Sequence, residues 1–591
     1  MNNLDKIASL RNLISSENID AILFYGTDPN LSEYVPLEWR TIEWISGFTG
    51  SSAKVVITKN KAALWTDSRY FIQAETQLKN SEFVMIKDRQ SDTISVEQWL
   101  LSELDPGNTV SIDGRTVSAS EAMSLKQKLS AKSILLETSK DLLSRIWHDR
   151  PVQQKTPVYD YPVNFAGQSR QEKLTTIRRE LKINGADSLF INQLDDLAWT
   201  FNLRGKEIEY NPVFAGYGYI NHEEAFLFVE NGRISKKLIE TLRTDGIFVF
   251  GYESLFPVLD QNMSEVIYLD PDRTNSVIYG FLSSKCHIID GTAIPALLKS
   301  VKNKIEISGM KAAHRRDGVA MVNFLYWFYK YSHNEVLTEI SIAQKLKEFR
   351  SEQKNFVNES FSPIISYGSH GAIVHYSATP ETNAEIKPDG ILLLDTGAQY
   401  LDGTTDITRT IATGKVSSYI KTDFTLVLKG MINLAKAKFP YGTKGHSLDI
   451  FARKYLWSNR LNYGHGTGHG VGHFLSVHEG PMSIRTEFNN HQILPGQIIT
   501  DEPGLYRQDK YGIRIENVLV CKNDGTSEFG TFLTFDTLTL CPIDRKLIKR
   551  KLLNNDEINW INKYHKRVLT LLKPYLKQEI LKWLTDQCAP I

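Results

Sequence analysis

Cysteine is nearly absent from this chain of 591 residues: four occur, Cys286, Cys521, Cys541 and Cys588, and no two form a CxxC pair. That excludes a disulfide framework and a thiolate zinc knuckle. It fits a reducing, cytoplasmic compartment in which most or all of the four are buried small hydrophobes. Excess charge is missing too. Lys+Arg 69 against Asp+Glu 68 leaves a net charge of +1, so there is no basic footprint for a nucleic acid or a membrane surface. No apolar run approaches the roughly 18 residues of a membrane span. The opening MNNLDKIASLRNLI mixes charge with periodic apolar residues and is expected to be a helix of the mature protein, not a signal peptide. Low-complexity segments are also lacking. What is present is ordinary globular composition, 41% hydrophobic and 23% charged, in a chain too long for one core.

Three regions are expected, 1–160, 161–300 and 301–591. In the first, LDKIASLRNLISSENI has helical apolar spacing, and DAILFYG and SAKVVIT read as buried strands. The proline-rich stretch 148–164 reads as a linker. The pattern then begins again. KLTTIRRELKINGADSLFI echoes KIASLRNLISSENIDAILF, and DDLAWTFNLRG echoes TIEWISGFTG, which points to one α/β unit used twice. The third region opens with a long amphipathic helix, ISGMKAAHRRDGVAMVNFLYWFYKY, and continues in Gly-rich strands. From about 531, FLTFDTLTLCPID reads as a strand. NNDEINWINKYHKRVLTLL reads as an Asn-capped helix with Trp560, Ile561, Tyr564 and Val568 on one face.

Four stretches of the third region set acidic or imidazole groups in unusual company. In GILLLDTGAQYLDGTTDITRT, Asp395 ends an apolar strand run, where a carboxylate is costly unless paired or metal-bound. Asp406 follows in the β-branched run TTDITRT. The two are expected to face each other across a hairpin, repelling unless a dication lies between them. Asp402, in LDGT, reads as a turn aspartate. In YGHGTGHGVGHF, His465, His469 and His473 recur every four residues, as on a zinc-binding helix. Glycines at 464, 466, 468, 470 and 472 would cost such a helix roughly 1 kcal/mol each. An extended strand is therefore expected, in which residues four apart again share a face, so that His465 and His469 point into one cavity. Glu502, in ITDEPGLY, is expected at a strand end. Glu516, in YGIRIENVLV, is expected within a strand, sharing a face with Arg514. Singly, each glutamate is an ordinary surface residue. Together, two Asp, two Glu and one His supply what a dinuclear centre needs, in which bridging carboxylates hold two cations about 3.5–4 Å apart. Such an oxygen-rich set without thiolate suits manganese or cobalt better than structural zinc.

GAIVHYS, LLLDTGAQYLDGTTDITRT, YGHGTGHGVG, VHEGP, DEPGLY and GIRIENV, in that order, resemble the pita-bread metallopeptidases of family M24, in particular the long, three-domain Xaa-Pro aminopeptidases. The resemblance spans essentially the whole chain. It implies an α/β multidomain protein: two creatinase-type amino-terminal α/β domains, then a pita-bread catalytic domain, an α+β fold with a two-fold repeated antiparallel sheet, carrying a carboxy-terminal extension over about 531–591. It implies two divalent metal ions per chain, manganese first, with cobalt or zinc as alternatives. One would be held by Asp395, Asp406 and Glu516, the other by Asp406, His469, Glu502 and Glu516. The activity implied is removal of the amino-terminal residue from peptides with proline second. A bridging hydroxide would attack, Glu502 would accept the proton, and the substrate's free amino group would lie against Asp395. His375, His465 and His478 match the family's histidines that position the scissile carbonyl, stabilise its developing charge or line the proline subsite. Arg514 matches a partner that orients the carboxylates. A cytoplasmic homodimer acting on peptides is implied, with neither nucleic acid nor membrane as partner.

Departures from the family pattern touch no proposed ligand. His370 stands where Asn is common, and Leu505 and Arg507 stand where long relatives have Tyr and an acid. His473 has no ligand counterpart and is expected to be packed beside the site. The alternatives are a prolidase-type Xaa-Pro dipeptidase on the same catalytic fold, disfavoured by the long tail; metal-free creatinase chemistry, disfavoured by the intact ligand set; and a non-catalytic pita-bread module that binds proteins or RNA, which would have lost ligands.

Overall fold

The computed structural model describes residues 3–90, 92–153, 155–332 and 335–591. The chain forms two compact units. One comprises Met1–Val163 with Gln168–Ala296, and the other Asn164–Gly167 with Leu297–Ile591.

The first unit contains one topology twice. Its first copy begins with helix α1 (Asn3–Ser16) and has strands β1 (Ala21–Tyr25), β2 (Ala53–Thr58), β3 (Ala62–Thr66), β4 (Phe83–Lys87), β5 (Thr109–Ser111) and β6 (Leu135–Glu137), ordered β4-β3-β2-β1-β5-β6. The second begins with helix α2 (Arg170–Ile183). Its strands are β7 (Ser188–Ile191), β8 (Tyr217–Asn221), β9 (Ala225–Phe228), β10 (Ile247–Phe250), β11 (Val266–Leu269) and β12 (His287–Asp290), ordered β10-β9-β8-β7-β11-β12. The senses of pairing also agree: β1–β2 and β7–β8 are antiparallel, β1–β5 and β7–β11 parallel. The repeat expected from the echoed segments is therefore present strand for strand. The fully buried runs AILFY and SLFI are the sequence cause, since a central strand covered on both faces shows no alternation. Of the expected linker, position 154 lies outside the described residues, and most of the rest is irregular.

The second unit opens with helix α3 (Lys304–Tyr331), where Asn303 and Glu306 form a capping box. Helix α4 (Glu339–Ser351) follows. A three-stranded sheet is ordered β13-β16-β17, from Phe356–Glu359 (β13), Ala398–Tyr400 (β16) and Gly403–Thr404 (β17). A second is ordered β14-β15-β18, from Ile364–Tyr367 (β14), Ile391–Thr396 (β15) and Ile407–Ala412 (β18). After helices α5 (Ser418–Ala435) and α6 (Gly445–Trp457) comes a six-stranded sheet, ordered β19-β26-β25-β22-β20-β21. Its strands are Lys438–Pro440 (β19), Gly468–Gly470 (β20), Glu479–Ile484 (β21), Ile498–Asp501 (β22), Asn517–Ser527 (β25) and Gly530–Thr537 (β26). Between β22 and β25 the chain makes a separate ribbon, Gly504–Arg507 (β23) with Tyr511–Arg514 (β24).

The run FLTFDTLTLCPID is a strand only to Thr537. Beyond it the backbone carbonyls go to side chains: Cys541 O accepts from Arg409 Nη2 and from the hydroxyl of Tyr564, both distances under 3 Å at 2.9 and 2.8 Å. Tyr564 lies on helix α7 (Asn555–Leu572), capped by Asn554 and Glu557. Its aromatic face packs inside the chain, with Ile561, Tyr564 and Val568 buried and Trp560 stacked on Tyr564. Three of the four cysteines are buried and Cys286 is half-buried. Among the described residues, no helix is long and apolar enough to cross a membrane.

Candidate metal centre

The acidic groups converge where strands change sheets. Asp395 lies near the end of β15, and Arg514 donates to its Oδ2 from Nε at 3.0 Å and also from Nη2. Asp406 occupies the break between β17 and β18, and Glu516 the corresponding break between β24 and β25. Glu516 is thus not inside a strand, contrary to expectation. The cause is local: the Ile515 N–H bonds to Pro503 O and the Glu516 N–H to Thr408 O, at 3.3 and 3.1 Å, as the chain leaves the ribbon and enters the larger sheet. Asp395 and Asp406 are not both on strands as expected: Asp395 pairs with Thr408 across β15 and β18, whereas Asp406 lies one residue before β18. Glu502 stands just past β22, its N–H bonded to Thr467 O at 2.8 Å and its Oε1 accepting from Thr500 Oγ1 at 3.3 Å.

His469 completes the group from β20. Its Nδ1 lies 2.8 Å from Gly470 O, which can only accept, so the neutral ring carries its proton there. The lone pair on Nε2 then faces Asp406 Oδ2 at 3.6 Å and Glu502 Oε1 at 3.5 Å. Glycine is required around it. A Cβ at Gly468 would fall 2.0 Å from Thr500 O, and one at Gly470 2.4 Å from Glu479 O. The extended reading of YGHGTGHGVGHF holds only for these three residues. His465 lies before the strand in an irregular stretch and His473 lies after it.

Ligand atoms of Asp406, His469 and Glu516 all fall within 4.8 Å of one another. Asp395 Oδ1, Asp406 Oδ1 and Glu516 Oε1 are buried without a hydrogen-bond partner. Burial, with repulsion from Glu516, Asp395 and Glu502, raises the Asp406 carboxyl well above the usual carboxylate range. Burial and Glu516 do the same to Glu502, and burial and Asp395 push Glu516 up to about 8. Orphaned, mutually repelling carboxylate oxygens beside an imidazole lone pair are what divalent cations relieve, so the donor set fits two such ions.

Histidines border the acidic group on irregular segments. His478 sets its ring perpendicular to that of His469, centroids 4.4 Å apart. The neighbouring Glu479 is held by the buried Lys302 and Lys299. His465 bonds through Nδ1 to Gly466 O at 2.7 Å, so Nε2 of the neutral ring accepts from Tyr506 at 2.8 Å. The Tyr506 oxygen in turn accepts from Arg514 Nη1 at 2.6 Å. Arg514 therefore donates both to Asp395 and to Tyr506, and Tyr506 donates in turn to His465. His375 is fixed through its neighbours. Val374 O accepts from Arg514 Nη2 at 3.4 Å, and the Tyr376 hydroxyl donates to Glu339 Oε2 at 2.8 Å. His473 is buried elsewhere, its Nε2 3.0 Å from where a Cβ on Gly309 of α3 would lie.

Of the departures, His370 bonds to the fully buried Glu339 at 2.9 Å and stacks on Tyr376. Leu505 is core, and Arg507 pairs with Asp423 on α5 at 2.9 and 3.1 Å. Sequence reasoning missed Tyr506, although its place in DEPGLY, two residues past Pro-Gly in a strand, carried the signal. Glu339 had none, being an ordinary first-turn helix acid.

Residues 308–523 match metallopeptidase family M24, residues 6–145 and 149–306 each match the Creatinase/Prolidase N-terminal domain, and residues 531–591 match the C-terminal region of peptidase M24. The chain is 39% identical to Xaa-Pro aminopeptidase 1 of Dictyostelium discoideum over 99% of this chain and 96% of that protein. It is 36% identical to aminopeptidase P1 of Lotus japonicus over 99% of both. Its structure superposes on X-prolyl aminopeptidase from Caenorhabditis elegans, described as a cytosolic enzyme with a di-nuclear active site, with a TM-score of 0.96, 35% identity and complete coverage of both chains. A Xaa-Pro dipeptidase from Bacillus anthracis, 22% identical over 64% of this chain with a TM-score of 0.51, shares the fold alone. Full-length likeness to the Dictyostelium, Lotus and Caenorhabditis proteins makes this chain a metalloaminopeptidase of family M24, in its long Xaa-Pro aminopeptidase branch.

Proposed function

We propose that this protein removes the amino-terminal residue from peptides with proline in second position, in the cytoplasm, as a homodimer organised as 1–160, 161–300 and 301–591. The observation that carries the reading is the cluster of Asp406, His469 and Glu516, whose ligand atoms lie within 4.8 Å of one another, together with buried oxygens of Asp395, Asp406 and Glu516 that lack hydrogen-bond partners. Full-length likeness to proteins named Xaa-Pro aminopeptidase supports it.

Asp395, Asp406 and Glu516 would hold one divalent cation and Asp406, His469, Glu502 and Glu516 the other, with manganese the ion proposed. Bound there, such ions supply Lewis acidity and activate water near neutral pH. The protein's own groups do the rest. Arg514 occupies Oδ2 of Asp395 and leaves Oδ1 to face the site, against which the substrate's free amino group lies. Glu502 accepts the proton released as water attacks. His478 and His375 border the scissile carbonyl. His465 is held in one tautomer by Gly466 O and Tyr506, so its ring orientation is fixed before substrate arrives.

Hydrolysis by the metal-stripped and reconstituted protein tests this. X-Pro-X peptides should be cleaved, X-Pro dipeptides should not, chelation should abolish turnover and manganese should restore it. Cleavage of the dipeptide in preference, or turnover that survives exhaustive chelation, would overturn the reading.

A further inference from the structure

His465 and Glu502 both depend on Asn462–Thr467, a segment without regular secondary structure. An irregular segment, buried here at Tyr463 and Thr467, needs partners for its backbone polar groups, and the sheet supplies few of them. They come instead from α6. Arg453, 2% exposed, donates from Nη1 to Tyr463 O at 2.6 Å and to Asn462 Oδ1 at 3.0 Å, and from Nη2 to His465 O at 2.8 Å. Its guanidinium lies over the Tyr463 ring, 3.8 Å from the centroid. Its remaining bond, from Nε, goes to Asp449 Oδ2 one turn earlier on α6 at 2.6 Å. The other oxygen of Asp449 accepts from the Thr467 hydroxyl, which pairs with the hydroxyl of Tyr463. Four side chains thus close a ring: Arg453 to Tyr463, Tyr463 to Thr467, Thr467 to Asp449, Asp449 to Arg453.

The ring has two outlets. One is His465, whose carbonyl Arg453 holds and whose ring lies 4.8 Å from that of Tyr463. The other is Glu502, whose N–H bonds to Thr467 O. A buried ion pair is weak evidence for stability, because desolvation offsets most of its attraction, whereas a planar fork engaged by several fixed acceptors defines geometry. We propose that Arg453 and Asp449 are positioning residues that set His465 and Glu502 against each other from outside the site. The inference rests on the roles proposed above for those two groups.

The test uses the full-length, manganese-reconstituted protein and an X-Pro-X peptide. Arg453→Lys keeps the charge and loses the fork. It should lower kcat about tenfold to a hundredfold while both metals stay bound, with a smaller change in KM. Thr467→Val should move kcat the same way and Thr467→Ser should restore it, a rescue that a bulk packing role would not give. Lys429→Met, which breaks the buried pair between Lys429 and Glu557, is the control. It should lower Tm at least as far with kcat unchanged. If Arg453→Lys retains kcat, or loses it only in step with metal content, or if the control loses as much kcat, the proposal is overturned. A wild-type protein that fails to cleave X-Pro-X would instead defeat the proposed function.

Discussion

The carboxylate floor and the histidine rim of the site are held by different means. On the floor, Asp395, Asp406, Glu502 and Glu516 sit within or one residue beyond paired strands, and backbone hydrogen bonds such as Glu516 N–H to Thr408 O fix where each chain turns. On the rim, His375, His465 and His478 lie on irregular segments held by buried charged side chains, of which Arg514 also touches a proposed ligand, Asp395, and the others do not. Glu339 ties down the residues around His375, Arg453 and Asp449 those around His465, and the two lysines Glu479 beside His478. Metal ligands must share one small space whatever the substrate, and a sheet ladder is suited to that. Groups that meet a peptide need positions no ladder offers, and a buried charge with several acceptors serves there.

The sharpest way to break this comparison is at the floor. Asp406→Asn keeps the shape and removes a carboxylate common to both proposed ions. kcat should fall about a thousandfold or more, with loss of bound metal measured by elemental analysis. Without metal the sign reverses. Because burial holds Asp406 and Glu516 carboxyls above their ordinary range, the folded protein binds more protons than the unfolded one. Metal-free protein should therefore lose stability as pH rises from about 4.5 through about 8. Asp406→Asn should flatten that slope in thermal melts, and an unchanged slope would separate Asp406 from the acidic cluster.

An intermediate effect belongs to the rim. Glu339 accepts from Tyr367 N, Ala384 N, Tyr376 and His370, so the amide of Glu339→Gln must meet at least one of these donors with its own NH₂. About tenfold should be lost in kcat/KM with metals retained. His370→Asn keeps a short donor and should cost less. Equal metal loss in Glu339→Gln and Asp406→Asn would erase the distinction between floor and rim.

The same division explains what the sequence made legible. The repeat, the long helices and the four floor residues follow from apolar periodicity and from acids set in β-branched or glycine-rich runs. The alternation of IRIENVLV predicts a strand through Glu516; what breaks it is a hydrogen bond to Thr408, over a hundred residues away, which no local pattern records. Arg453, Asp449 and Glu339 read as ordinary charged residues of amphipathic helices. Their meaning lies in which carbonyls and donors they meet, and that is fixed only by tertiary packing.

The smallest effect tests the histidine repeat itself. His465 and His469 are each followed by glycine, and each bonds through Nδ1 to that glycine's carbonyl, which leaves Nε2 as the acceptor. His473 is followed instead by Phe474, at φ 48°, and its ring turns toward α3. His473→Ser should therefore keep two metals per chain and kcat/KM within about twofold, with about 1–3 kcal/mol lost from stability for the vacated buried volume. His469→Ala should lose metal and activity together. If His473→Ser instead loses metal as His469→Ala does, His473 acts as a ligand and the four-residue spacing regains its meaning.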